Sequence, residues 1–128
     1  MRNKYMVVSM LYDPAKGDNV DHPCLSHIYG SFSEALKESR SANEELGGGV
    51  EELAYVKAVR PEWYREHLPE ILRETAYVFS LRLRACRNGN RGAVSWYRLG
   101  YMTREQTERS MAIADEEQKK GRKARKAR

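Results

Sequence analysis

The stretch Lys4–Tyr12, KYMVVSMLY, is apolar on both of its alternating faces, with Tyr5, Val7 and Leu11 on one and Met6, Val8 and Met10 on the other. Such a segment has no side to turn to water, so it predicts a central strand covered above and below. Elements able to cover it follow at once. DPAKGDNVDHP, from Asp13 to Pro23, reads as a turn-rich loop, and Leu25–Tyr29 as a second short strand returning antiparallel to the first. Ser31 with Glu34 three residues on forms a capping box, after which Phe32, Ala35, Leu36, Ser39, Ala42 and Leu46 recur at helical spacing until Gly47, Gly48 and Gly49 stop the helix. Val50–Val59 resumes strand character. Residues 1–60 therefore predict a β(β)αβ unit with a small antiparallel or mixed sheet, and the fold class is α+β.

The second half predicts mainly helix. Pro61 suits a first helical turn, and Trp63, Tyr64 and Leu68 form a short apolar stripe before Pro69 interrupts it. Beyond Pro69, Leu68, Leu72, Ala76, Phe79, Leu83 and Cys86 repeat at intervals of four, four, three, four and three, with Asn88-Gly89 as a C-cap. A competing strand alternation over Phe79–Cys86 spans about eight residues against nearly twenty for the helical pattern, so the helix is preferred. AVSWYRLGYM is too short and too aromatic to assign. Thr103 and Gln106 make a second capping box, opening a last helix with Thr107, Met111 and Ala114 on one narrow stripe. Past about Gln118 that stripe is gone, and residues 119–128 are expected to be disordered or frayed helix when free. The chain thus divides into one domain over residues 1–118 and a basic tail over 119–128.

Charge is distributed unevenly along this plan. The 128 residues carry 23 Lys plus Arg against 18 Asp plus Glu, a net +5. The final ten residues, KKGRKARKAR, hold seven of those cations and no acid, which leaves the other 118 residues at −2. A second asymmetry lies between Arg82 and Arg109, where seven arginines and no lysine face only Glu105 and Glu108. Arginine's planar fork binds phosphate or carboxylate bidentately and stacks on aromatic rings. Two groups are accordingly candidates for contact with nucleic acid or another partner: Lys119, Lys120, Arg122, Lys123, Arg125, Lys126 and Arg128 in the tail, and Arg91, Trp96, Arg98, Tyr101 and Arg104 in the body.

Other chemistry is thinly represented. Two cysteines cannot build a disulfide framework, and no apolar run approaches the ~18 residues of a membrane span, so an intracellular, cytoplasmic location is expected. His22, Cys24 and His27 in HPCLSH, with Asp21 beside them, match no common zinc spacing. Cys24 or Cys86 with a histidine, Glu66 with His67, and Glu62 with Glu66 form no recognisable catalytic pattern, so neither a cofactor nor an enzymatic activity is expected. Gly89-Asn90-Arg91-Gly92 has the GxxG spacing by which KH domains approach phosphates, but AVSWYRLG replaces the aliphatic helix that would follow, so a cap or turn is expected there.

In layout, a short β-α-β followed by a compact helical segment, the chain is similar to many small accessory proteins encoded by phages and mobile elements. That similarity is one of style and assigns no residues. The functional expectation is a non-catalytic binding protein that engages nucleic acid or a nucleoprotein. The alternative is a protein–protein inhibitor or adaptor of phage or mobile-element type, acting on a host nucleoprotein enzyme in the manner of an anti-CRISPR protein.

Overall fold

The computed structural model describes residues 2–47 and 53–126, with the side chains of 47 and 123–126 outside the description. Three strands, β1 (Lys4–Asp13), β2 (Asp18–Tyr29) and β3 (Ala54–Val59), form an antiparallel sheet in the order β2-β1-β3. Four helices complete the α+β fold: α1 (Phe32–Gly47), α2 (Pro61–Asn88), α3 (Arg91–Arg98) and α4 (Arg104–Lys126). The doubly apolar segment is the central strand, as its composition requires. Val7, with Cys24 and Ala54, packs beneath Ala42 of α1 and Leu99. Met6, Val8 and Val59 pack on the other face against Leu25, Ile28, Trp63 and Tyr64.

β2 is longer than the sequence indicates. It starts at Asp18 and includes DNVDHP, which its composition marks as loop. The difference lies in pairing: Asp18–Pro23 runs backbone to backbone along Val8–Asp13, and an edge strand tolerates polar, exposed side chains and a proline on its unpaired side. Between Met6 and Val8 the register shifts, β1 advancing two residues while β2 moves from Ile28 to Pro23. The resulting bulge buries both Cys24 and His27. Among the stop signals of α1, Gly48 and Gly49 lie outside the described residues, as do Val50–Glu52 of the expected third strand.

α1 begins as its capping box predicts, with the Glu34 amide donating to Ser31 Oγ at 3.3 Å. Its far end is fastened by Asn43. The side-chain oxygen accepts from the amides of Leu53 and Ala54, each at 2.7 Å, and Nδ2 donates to the Ala54 carbonyl at 3.0 Å.

Pro69 does not interrupt the second half. α2 runs through it as one helix of 28 residues, opened by Pro61 in the first turn and closed by Gly89, whose φ is +78° and whose amide returns to the Ala85 carbonyl. The helical reading of Phe79–Cys86 holds. The face that packs, however, is Ile71, Val78, Leu81, Ala85 and Asn88, whereas Leu72, Phe79 and Leu83 stand 60, 61 and 50% exposed. The regular apolar repeat is therefore on the solvent side. Val78, Leu81 and Ala85 instead join Ala93, Val94 and Met111 in a second core, built by α2, α3 and α4.

The unassigned AVSWYRLGYM is α3 plus a tight corner. Gly100 in that corner has φ +88°, and a Cβ there would lie 2.7 Å from the His22 ring and 2.8 Å from Leu11 Cδ1. Only glycine fits. Thr103 and Gln106 close a reciprocal capping box, the Gln106 amide on Thr103 Oγ1 at 3.1 Å and the Thr103 amide on Gln106 Oε1 at 2.9 Å. α4 then continues through Gly121 to Lys126. No helix among the described residues is long and apolar enough to cross a membrane.

Asn43 generates the first prediction. Asn43→Ala strands two amides and a carbonyl at the start of β3, and urea unfolding should show a loss of about 2–3 kcal/mol. Asn43→Asp keeps the acceptor and should lose less.

Candidate polyanion-binding site

The seven arginines between Arg82 and Arg109 are not equivalent once folded. Two of them hold α4 against α2. Arg84 bonds Glu108 at 2.8 Å and Asp115 at 2.8 Å, and the Tyr77 hydroxyl donates to the other Glu108 oxygen at 2.6 Å. Arg104 bonds Glu74 at 3.0 Å and lies over the Tyr77 ring, while the Tyr97 hydroxyl donates to the same Glu74 oxygen at 2.7 Å. Hydrogen bonds from Tyr77 and then Arg84 hold the Glu108 carboxyl below its usual range, and those from Asn88 and Arg84 do the same for Asp115. Arg104, a candidate contact residue by sequence, is thus committed to an internal pair.

Arg82, Arg91 and Arg98 converge instead. With Ala85, Cys86, Val94 and Ser95 they line an open cavity of about 350 Å³ between α2 and α3, and no carboxylate is among its lining residues. The spacing is helical: Arg91, Ser95 and Arg98 stand at i, i+4 and i+7 on one face of α3. Arg98 is the most enclosed of the three. Burial, and then the charge of Arg82, draw its guanidinium below the usual arginine range, with Tyr29 and Glu38 partly offsetting them. Its Nε has no hydrogen-bond partner.

Behind Arg98 lies His27, placed there by the bulge in β2. It is 4% exposed, and neither ring nitrogen has a partner. A small cleft whose lining includes His27, the carboxylates Glu38 and Glu45, Ser95 and Arg98 adjoins the arginine cavity through Ser95 and Arg98. Burial, reinforced by Arg98 and Arg82, lowers the His27 pKa to about 3, so the imidazole is neutral at physiological pH. An unpartnered buried histidine beside a half-desolvated guanidinium destabilises the free protein, and such arrangements collect where a ligand supplies the missing partner. A bound oxyanion would accept from Arg98 and lower the cost of enclosing it.

The other sequence candidates scatter. Trp96 is 44% exposed and lies on a different side of α3 from Arg91 and Arg98, its ring edge-on to Tyr101. Tyr101 ties the corner to the sheet, its hydroxyl donating to the Met10 carbonyl at 3.0 Å. In the tail, Lys119 and Arg122 share a surface recess with Arg84, Arg87 and Asp115. Lys119 also approaches Glu116 at 3.5 Å, and Lys120 lies on the same helix. Lys123, Arg125 and Lys126 are helical in backbone with side chains outside the description, and Arg128 lies beyond the described residues. His27 is not legible from the sequence as a residue beside this cavity, because its position depends on a bulge that no local pattern announces.

The remaining chemical candidates are dispersed. Among the described residues no three His, Cys, Asp or Glu side chains gather as metal ligands would. Cys24 is buried beside Ser9 Oγ at 3.6 Å, and burial raises its thiol pKa. His67 stacks on Trp63 at 4.1 Å with Nδ1 on the Trp63 carbonyl, and Cys86 is exposed.

His27 yields a two-sided prediction. The folded pKa of about 3 lies below the ordinary 6.5, so the unfolded chain binds the extra proton between those values and stability falls as pH drops from 6.5 towards 3. His27→Leu should raise unfolding free energy at pH 7 by about 1–2 kcal/mol by removing unpartnered polar atoms. It should also flatten the decline between pH 6.5 and the onset of carboxylate titration, read from urea curves across pH. Comparison of the chain with family models, with curated proteins and with solved structures finds no match in any of the three.

Proposed function

We infer that the protein is a non-catalytic binding protein for nucleic acid or a nucleoprotein, which it engages through the Arg82–Arg91–Arg98 cavity and the basic end of α4. The observation that carries this reading is the convergence of three arginines on a cavity with no carboxylate in its lining, backed by an unpartnered buried histidine. Guanidinium forks suit phosphate oxygens, and apolar Ala85 and Val94 at the base would accept the flat side of a base or sugar. Lys119, Lys120 and Arg122 extend cationic charge along α4, which favours attraction to a phosphate backbone without sequence preference. Specificity would then reside in the cavity, affinity in the helix.

Fluorescence anisotropy with labelled duplex DNA, single-stranded DNA and single-stranded RNA tests this. Arg91→Ala with Arg98→Ala should weaken binding of the preferred form at least about tenfold. Replacing Lys119, Lys120 and Arg122 by glutamine should weaken all three and reduce the dependence of log K on log salt, by roughly 0.9 for each duplex phosphate no longer neutralised. Unchanged affinity and slope in both variants would sink the proposal. A complex recovered with a partner protein after nuclease treatment would favour instead the inhibitor or adaptor reading, with the arginine cavity holding an acidic side chain of that partner.

A further inference from the structure

The exposed repeat on α2 is a surface without an evident internal use. Leu72, Ala76, Phe79, Leu83 and Cys86 are separated by four, three, four and three residues, the spacing of a coiled-coil seam, and all five are exposed. They lie on the side of the helix opposite Ile71, Val78, Leu81 and Ala85, which face the core. Leu72, Ala76, Phe79 and Leu83 therefore face outward, where another helix can reach them, and Cys86 at the C-terminal end of the seam also borders the arginine cavity.

We propose that this seam is closed by the same seam of a second copy of the chain, the two α2 helices packing antiparallel about a two-fold axis near Tyr77–Val78. In this register Leu72 meets Leu83 of the second copy, and Ala76 meets its Phe79, so the largest side chain always faces the smallest. The flanks agree. Glu66 comes beside Arg87 of the second copy, Arg73 beside its Ser80, and Arg82 beside its Thr75. Glu66 and Arg87 are exposed and take part in no other ion pair among the described residues.

Neighbouring arrangements bring like charges together. Sliding one copy by a heptad sets Arg73 against its own counterpart in one direction. In the other it sets Arg73 against Arg87 and Arg82 against Arg82. A parallel, in-register pair places Arg82 beside Arg87 on both flanks and Phe79 against Phe79. Of these arrangements, the antiparallel register described is the one free of arginine–arginine contacts along the seam, which is how flanking charge selects orientation. The seam and its flanks would bury on the order of 1,000 Å², the lower bound for a specific interface, which suits a weak dimer in the micromolar range.

Sedimentation equilibrium on the full chain tests the association, and chemical cross-linking tests the register. The wild type should dimerise in the micromolar range. Phe79→Glu and Leu83→Glu, at exposed positions, should each weaken the dimer at least about 100-fold with circular dichroism unchanged. Arg87→Glu should weaken it and the added Glu66→Arg restore it. A short bis-maleimide linker should join two copies of Pro69→Cys, whose introduced thiol faces Cys86 of the second copy. It should not join the wild type, whose two Cys86 thiols would be about 26 Å apart along the seam. A wild type still monomeric at about 500 μM overturns the proposal. So does efficient linkage of wild-type Cys86 to itself, which would require parallel packing.

Discussion

The hydrogen bond from Ser9 Oγ to the Leu99 carbonyl, 2.6 Å long and fully buried, holds the sheet to the helical half of the molecule. Leu99 sits 2% exposed in the core beneath α1, Gly100 passes against His22 and Leu11, and Tyr101 reaches back to the Met10 carbonyl. Three consecutive residues thus dock the α3–α4 corner onto β1 and β2. Without the Ser9 hydroxyl this buried carbonyl would be left unpaired, at a cost of about 1–3 kcal/mol. Its further effect is positional: the corner fixes α3, and α3 holds Arg91 and Arg98 in front of His27.

Much of the architecture is legible from local chemistry. The central strand follows from a segment with no polar face, and the hydroxyls of Ser31 and Thr103 start helices where the sequence places them, the second with Gln106 completing the reciprocal pair. What escapes is settled by tertiary partners. Asp18–Pro23 is polar and turn-like, yet pairing with a long neighbour is enough to make it strand. Pro69 sits inside α2, where packing on both sides of it outweighs the roughly 3 kcal/mol that interior proline costs. The apolar repeat Leu72–Cys86 correctly reveals a helix and misdirects as to its buried side, because periodicity reports a stripe and says nothing of what covers it.

The contact candidates picked out by composition are brought together only in part. Arg91 and Arg98 share a cavity, whereas Arg104 is paired with Glu74, Tyr101 anchors a corner, and Trp96 points elsewhere. Arginines at Arg82 and Arg84 are two residues apart in sequence and belong to opposite undertakings, one lining a cavity and the other clamping two helices. Counting charges along a chain cannot separate them, since the distinction rests on which acids the fold brings within about 4 Å. Glu74, Glu108 and Asp115 are the residues that decide it.

α2 is about 42 Å long at 1.5 Å per residue and belongs to both cores, Trp63 and Tyr64 to the sheet and Val78, Leu81 and Ala85 to the helical unit. No flexible joint lies between the two along this segment. A recombination event that exchanged one unit for another would have to cut a continuous helix and restore its phase. The sheet and the helical unit are in this sense a single heritable module, able to diverge at their surfaces but not to be traded separately.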